Sequence, residues 1–466
     1  MYGILILIVY AFLMLGITIV LTRRTKSTES FYVGSRKMGT LSSAMSIAAT
    51  WIWAPALFVS AQQAYTNGFI GLFWFLVPNV LCLILFSPFA KRIRKQFPKG
   101  ITLSGYMAYI YKSNKVKNVY LFQLSALTIF STGVQFLAGG KILSSITGLP
   151  FFVVTVILAL IAFSYSQISG IRASVVTDSI QMIFILIACI IFVPWALNMN
   201  NISSLINGFG GVSSGSFSLF SQRGTEIFLS FGLPTTIGLI SGPFGDQCFW
   251  QRAFSIKENK LEKSFLLGGI LFAFVPLSMG ILGFIAAGTG FKVVDNNIVN
   301  IELVSCLFPN WAMIIFLFML ISGLLSTVDS NLCAISSLTT DICKTTDLKF
   351  PRISMVLLLI IGIGIANIPD LTITELFLFY GTLRSSTLLP TIMTLMKKKL
   401  TAVGIVTGII ISLCVGLPIF AYGTLFNISL YKTIGSLITV IVSGIIAILI
   451  TKLEKVKYAW QKTKYK

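Results

Sequence analysis

Asp178, Asp329 and Arg384 each lie inside a long apolar run of the sequence. An ionisable group in such a setting is costly, and it marks an ion pathway, a relay or a charge pair. Asp329 belongs to the most informative run, Ser322-Gly323-Leu324-Leu325-Ser326-Thr327-Val328-Asp329-Ser330-Asn331. On a helix Ser326 and Ser330 are four apart, Asp329 is three from Ser326, and Thr327 is three from Ser330. These oxygens therefore share one side. A small hard cation such as Na⁺ takes several oxygens and neither nitrogen nor sulfur. Hydroxyls in helices also bond their own carbonyls or join neighbouring helices; the carboxylate of Asp329 turns the run toward function. Asp178 stands in Val175-Val176-Thr177-Asp178-Ser179-Ile180-Gln181 and Arg384 in Tyr380-Gly381-Thr382-Leu383-Arg384-Ser385-Ser386. Their charges either neutralise one another or line a pathway. Asp246 and Arg252 close another apolar run and read as an exposed gate or ion pair.

Other chemistries are excluded or unsupported. The chain has no histidine, which removes His general acid–base catalysis, Ser-His-Asp triads and His metal sites. Its seven cysteines are scattered without a CxxC pair, so neither a zinc cage nor a disulfide framework is indicated. The glycines before Lys141 have the wrong spacing for a phosphate loop, and Ile142 follows the lysine. No nucleophile–base pair is visible, so the expectation is a protein that is not an enzyme.

Two prolines interrupt the apolar runs. Pro55, after Ser46-Ile47-Ala48-Ala49-Thr50-Trp51-Ile52-Trp53-Ala54, removes an amide donor and frees a carbonyl one turn earlier. Gly232-Leu233-Pro234-Thr235-Thr236, followed by Gly242-Pro243, forms a second interruption. Transporters place their sites on helices broken in this way near the bilayer midplane.

The elements that must carry these residues are membrane helices. Hydrophobic residues make up 56% of the 466 residues and charged residues 11%, too apolar for a water-soluble domain. Thirteen stretches are long enough to span: 2–22, 40–67, 69–90, 118–142, 149–168, 171–198, 227–247, 263–289, 310–338, 352–368, 371–396, 400–424 and 431–451. The first lacks a basic leader and a small-residue cleavage site, so it reads as a span and not a signal peptide. The formal charge of +21 suggests an acidic partner, but thirty of the thirty-five Lys and Arg fall in alternate loops. That alternation places the N-terminus outside and the C-terminus in the cytoplasm of a cell-membrane protein, and nucleic acid is not needed to explain the charge.

These pieces resemble the sodium:solute symporter family, whose members carry proline, galactose, sialic acid, pantothenate or urea. The match rests on Ser30-Phe31-Tyr32-Val33-Gly34 with Arg36; Gly170 with Thr177-Asp178 and Gln181; Gly245-Asp246-Gln247 with Gln251-Arg252; and Ser326-Thr327-Val328-Asp329-Ser330 through Ser336-Ser337 to Asp341-Ile342. The resemblance implies an all-α LeuT-type fold with five-helix inverted repeats at 40–198 and 227–396, flanked by the peripheral segments 2–22 and 400–451. It implies a main Na⁺ site built from carbonyls of Ala48, Trp51 and Gly323 and the hydroxyls of Ser326 and Thr327. A second Na⁺ site would use Asp178, Ser326 and Ser330, with Asp329 in place of a hydroxyl found in a two-sodium member. The substrate candidates are Trp53, Gln62, Trp74, Gln135, Thr235, Thr236 and Arg384. A guanidinium fork suits a carboxylate, which favours an amino acid or organic acid unless Arg384 is engaged by a buried aspartate. The implied activity is Na⁺-coupled symport into the cytoplasm by alternating access. A proton-coupled or uncoupled carrier and a membrane solute sensor are the alternatives. The oligomeric state is not legible in the sequence.

Overall fold

The computed structural model describes residues 2–22, 27–215, 217–343, 347–426 and 428–464. The basic residues Arg23, Arg24, Lys26, Lys344 and Lys466, counted above among the loop charges, lie outside the described residues. The described residues form helices and no sheet; one isolated β-bridge joins Met38 and Ile256.

The main helices in chain order are α1 (Tyr2–Leu21), α2 (Thr40–Trp51), α3 (Ala54–Leu57), α4 (Val59–Gln96), α5 (Asn114–Thr147), α6 (Phe151–Ser169) and α7 (Ile171–Asn207). They continue as α8 (Leu233–Ile240), α9 (Gly242–Gly245), α10 (Gln247–Ser255), α11 (Leu261–Gly288), α12 (Asn310–Leu338) and α13 (Lys349–Ala366). The last four are α14 (Ile373–Ser385), α15 (Leu388–Leu395), α16 (Ala402–Leu425) and α17 (Ser429–Lys464). Ten of the described helices are long and apolar enough to cross a membrane: α1, α4, α5, α6, α7, α11, α12, α13, α16 and α17. The protein is multi-pass. The other three stretches predicted from sequence, 40–67, 227–247 and 371–396, are broken into shorter helices.

Each break has a local cause. Pro55 sits in the first turn of α3, where a missing N–H costs nothing. The chain leaves the helical region ahead of it, at Ile52 (φ −81°, ψ 74°) and Trp53 (φ −97°, ψ 176°). The second break differs from the sequence expectation. Pro234 is absorbed by a π-helical turn at Phe228–Gly232, and the chain opens later, at Asp246 (φ −98°, ψ 117°) between α9 and α10. A third break, at Ser386–Thr387 between α14 and α15, was not anticipated.

In lipid, helices gain little from hydrophobic contact with one another. They associate through close packing and interhelical hydrogen bonds. α12 is buried for most of its length between α5 and α7, and α2 lies between α7 and α11. The 40–67 and 69–90 stretches meet inside one continuous helix, α4, kinked at Gly68 (φ 62°, ψ −148°). The segment around 209–213 folds onto this kink: a Cβ at Gly68 would stand 2.1 Å from the Phe209 carbonyl oxygen, and Ser213 donates to the Thr66 carbonyl at 2.5 Å. That backbone region is open in practice only to glycine.

Gly68→Ala should therefore destabilise the protein by about 1–3 kcal/mol through backbone strain, with the clash adding to it. Gly148→Ala, at another positive φ (71°) with nothing within 4 Å of the added Cβ, should cost less. Thermal unfolding of the two variants in detergent checks the order; equal melting temperatures would contradict this account of the kink.

Candidate functional site

The α2–α3 break faces the polar side of α12. Ser326 Oγ donates to the Ala49 carbonyl at 2.7 Å and lies 3.1 Å from the Gly323 carbonyl oxygen. Thr327 Oγ1 stands 3.1 Å from the Thr50 carbonyl oxygen and 3.4 Å from that of Gly323. Five oxygens from two helices thus converge in a buried place with no nitrogen or sulfur among them. The structure brings Ser326, Thr327 and Gly323 together, but their partners on α2 are Ala49 and Thr50. Ala48 and Trp51, the residues implied by the resemblance, flank them. The Ala48 carbonyl accepts from Ile52 at 2.8 Å. The Trp51 carbonyl faces a proline four residues on and has no helical donor. The donor set suits a hard monovalent cation.

Asp178, Asp329 and Ser330 also come together, around an unexpected cation. Arg252 reaches in from α10, 1% exposed, and donates Nη2 to Asp178 Oδ2 at 2.9 Å and to Ser330 Oγ at 2.7 Å. Its Nε donates to Ser46 Oγ at 3.0 Å, and Ser46 donates to the same Asp178 oxygen at 2.6 Å. Ser174 Oγ donates to Asp329 Oδ1 at 2.8 Å, and Thr177 Oγ1 lies 3.2 Å from Asp329 Oδ2. Ser46 and Thr50 on α2, Ser174 and Asp178 on α7, and Ser326 and Ser330 on α12 are each four apart. The i,i+4 spacing lets three helices present paired oxygens to one centre. Thr50 Oγ1, 2.8 Å from Ser330 Oγ, links this cluster to the five-oxygen set.

The sequence reading of Asp246 and Arg252 is corrected here. They are not an exposed pair. Asp246 is 8% exposed and holds Arg384: Nη1 reaches Asp246 Oδ2 at 3.2 Å, and Tyr380 donates to Asp246 Oδ1 at 2.5 Å. Arg384 Nε donates to the Gly238 carbonyl at 2.6 Å. Its guanidinium lies over the rings of Tyr380, Trp51 and Trp53, at 4.5, 5.5 and 5.6 Å, where ring quadrupoles favour a cation. Arg384 is thus neutralised by neither Asp178 nor Asp329. Local sequence misled because Arg252 sits among polar residues at the end of its run, and its partner lies on another helix.

A tightly closed cavity of about 10 Å³, room for roughly one water, lies between the five-oxygen set and the Asp246–Arg384 pair. Its walls include Thr50, Trp53, Ser131, Asp246, Asn331 and Tyr380. Of the seven substrate candidates, Trp53 lines it, stacked on Trp51, and Arg384 lies behind it against both tryptophans. The Trp53 Nε1 and Arg384 Nη2 donors are buried and have no acceptor among the described residues. Gln135 is occupied otherwise: its Oε1 accepts from the Ala54 amide at 2.8 Å, an N–H freed by the break. Gln62 is tied to Thr374 at 3.1 Å. Trp74 packs on Phe228 beside the π-turn, and Thr235 and Thr236 have unpartnered hydroxyls away from the cavity wall. Sequence reasoning missed Ser131 and Tyr380 and set Asp246 at an exposed gate instead of this cavity wall. Ser131, four before Gln135, and Tyr380, four before Arg384, share faces with residues it did choose.

Truncating one member of a buried ion pair strands the other. Arg252→Leu should cost about 3–5 kcal/mol by leaving Asp178 uncompensated, and the double variant with Asp178→Leu should cost less than the single one. Thermal unfolding of both variants checks this; a double variant less stable than Arg252→Leu would contradict it.

Three comparisons bear on identity. The sodium/pantothenate symporter of Haemophilus influenzae is 25% identical over 95% of this chain and 94% of its own length. A probable urea active transporter of Schizosaccharomyces pombe is 26% identical over 58% of this chain, and the matched part spans less than half of that relative, 42%. A Na⁺-coupled sialic acid symporter, solved substrate-bound and outward-open, superposes with a TM-score of 0.77 at 16% identity, covering 96% of this chain and 98% of that one. That likeness shows a shared LeuT-type fold. The sodium:solute symporter family model matches residues 31–412, and with it the broken helices, the buried charges and the oxygen-lined cleft find one explanation: the chain belongs to the sodium:solute symporter family, a family of transporters.

Proposed function

We propose that the protein is a Na⁺-coupled symporter that moves a small organic solute into the cytoplasm by alternating access. The observation that carries this reading is the convergence of Ser326 and Thr327 on carbonyls at the α2–α3 break. Ala49, Thr50 and Gly323 would supply carbonyl oxygens to Na⁺, with Ala48 and Trp51 adjacent, and the two hydroxyls would complete the set. When bound, the ion supplies a positive charge that ties α2 to α12. The protein's own residues hold the break open: Gln135 caps the Ala54 amide, and Pro55 starts α3.

In this reading the second cation position is held by Arg252 in the present conformation, so sodium reaches Asp178 and Ser330 only when the guanidinium withdraws. Residues 40–198 and 227–396 act as two inverted repeats within a thirteen-span frame, and their breaks at Ile52–Trp53 and Asp246 meet at the cavity. The alternating loop charges orient the C-terminus toward the cytoplasm. The solute presents an acceptor oxygen, carboxylate or carbonyl, to Trp53 Nε1 and Arg384 Nη2. Because Asp246 already balances Arg384, a neutral amide-like solute suits the site as well as an amino acid or organic acid.

Purified protein in proteoliposomes tests the reading with a panel of amino acids, urea, organic acids and sugars. An inward Na⁺ gradient should drive uptake of one class, and replacing Na⁺ by choline should abolish it. Ser326→Ala and Thr327→Ala should each lower apparent Na⁺ affinity by tenfold or so, about 1.4 kcal/mol for one lost ligand. Uptake indifferent to choline replacement would overturn sodium coupling and leave proton-coupled or uncoupled transport. Unchanged Na⁺ dependence in both variants would overturn the site.

A further inference from the structure

Two concave pockets at the basic end of the helices lie outside the transport site. The first, a groove of about 580 Å³, is walled by Lys91, Arg92 and Lys95 of α4 and by Lys397, with Glu262 as its one acid. Its floor is apolar, formed by Pro88, Leu395 and Met396. The second, about 320 Å³, gathers Lys398, Lys399, Lys452 and Lys455 over Leu400 and Ile448. Between them the chain turns sharply at Lys397 (φ 60°), which sends three successive lysines to the two sides of one ridge. Eight basic side chains therefore face one carboxylate, and Lys91 already engages it at 2.5 Å. Arg92, Lys95 and Lys397 have no carboxylate within 4 Å among the described residues.

The charge rule for cytoplasmic loops accounts for the number of these residues but not for their convergence. Scattered loop lysines satisfy that rule without forming pockets. Here the basic walls stand directly above lipid-facing apolar stripes. About two and three turns below Lys91 and Arg92 on α4 are the exposed Leu85 and Leu81, and on α11 the exposed Leu266 and Ile270 follow Glu262. Beside the second pocket, Ile445 and Leu449 of α17 are exposed in the same way. The order from outside to inside is cation, apolar floor, apolar stripe. A phospholipid has the matching order of phosphate, glycerol backbone and acyl chains.

We propose that these paired pockets bind the headgroups of anionic phospholipids, with the phosphate held by Arg92, Lys95 and Lys397 in the first and by Lys398, Lys399 and Lys452 in the second. Basic pockets between membrane helices recognise such headgroups, and each Lys or Arg near an anionic surface contributes on the order of 1 kcal/mol. Arg92 supplies a planar fork for two phosphate oxygens, and the lysines act as point charges. The site is independent of the transport assignment, since it uses none of the residues of the oxygen cluster, the buried ion pairs or the cavity between them.

The full-length protein, stripped of lipid in detergent, tests this with three probes: phosphatidylglycerol, phosphatidylcholine and inorganic phosphate. Phosphatidylglycerol should bind saturably and raise the melting temperature, and the other two should not. In R92Q/K95Q/K397Q its affinity at the first pocket should fall on the order of 100-fold, three surface charges being removed. The control K112Q/K115Q/K257Q removes the same charge from exposed loop positions at the same end and should keep wild-type affinity. The proposal is overturned if phosphatidylglycerol neither binds nor stabilises, if inorganic phosphate alone reproduces the effect, or if the control variant loses affinity to the same degree.

Discussion

A backbone group freed inside a bilayer has no water to bond, so every break in a membrane helix must be answered by a polar partner from elsewhere in the chain. The rest of this structure depends on how the break at Ile52–Trp53 is answered. Its amide side is closed by Gln135 from α5, and its carbonyl side by Ser326 and Thr327 from α12. The same five oxygens that keep α2 stable are the ones a cation would use. In the proposed reading stability and function share atoms, and a hydroxyl that donates to a carbonyl without the ion would offer its lone pairs to a bound one.

The buried charges follow the same constraint. Three carboxylates, Asp178, Asp246 and Asp329, and two guanidinium groups, Arg252 and Arg384, lie in the helical interior. A single ion without compensation there costs several kcal/mol. Arg252 and Arg384 are each clamped by an aspartate and by further oxygens. Among the described residues, the hydrogen-bonding neighbours of Asp329 are hydroxyls, those of Ser174, Thr177, Ser330 and Tyr165. Arg252 joins α10, on the far side of the second break, to the cluster on α2, α7 and α12. Any movement of α10 away from these helices has to break that ion pair, so the pair couples the break at Asp246 to the break at Ile52.

Much of this was legible in the sequence. Ser326, Thr327 and Asp329 stand out because small polar and charged residues interrupt an otherwise apolar run, and helical spacing alone puts them on one side. Pro55 marked the first break to within three residues. Partners were not legible. Asp178 and Arg252 are 74 residues apart, and Asp246 and Arg384 are 138 apart; which helices meet is a property of the packed bundle. Gln135 shows the limit in another way. Its polarity in an apolar helix signalled a role, but its role as a cap depends on knowing which amide the break exposes. The basic pockets were hidden because loop-by-loop charge counting reads along the chain, and the two walls of the first groove are some three hundred residues apart in sequence.

The central claim, that the oxygens at the α2–α3 break hold sodium, is tested most directly by equilibrium binding of radioactive Na⁺ to the purified protein and to a Ser326→Ala/Thr327→Ala double variant. The account predicts saturable binding to the wild-type protein that potassium does not displace, and its loss in the double variant while the fold survives. Sodium binding that persists with wild-type affinity in the folded double variant would contradict it.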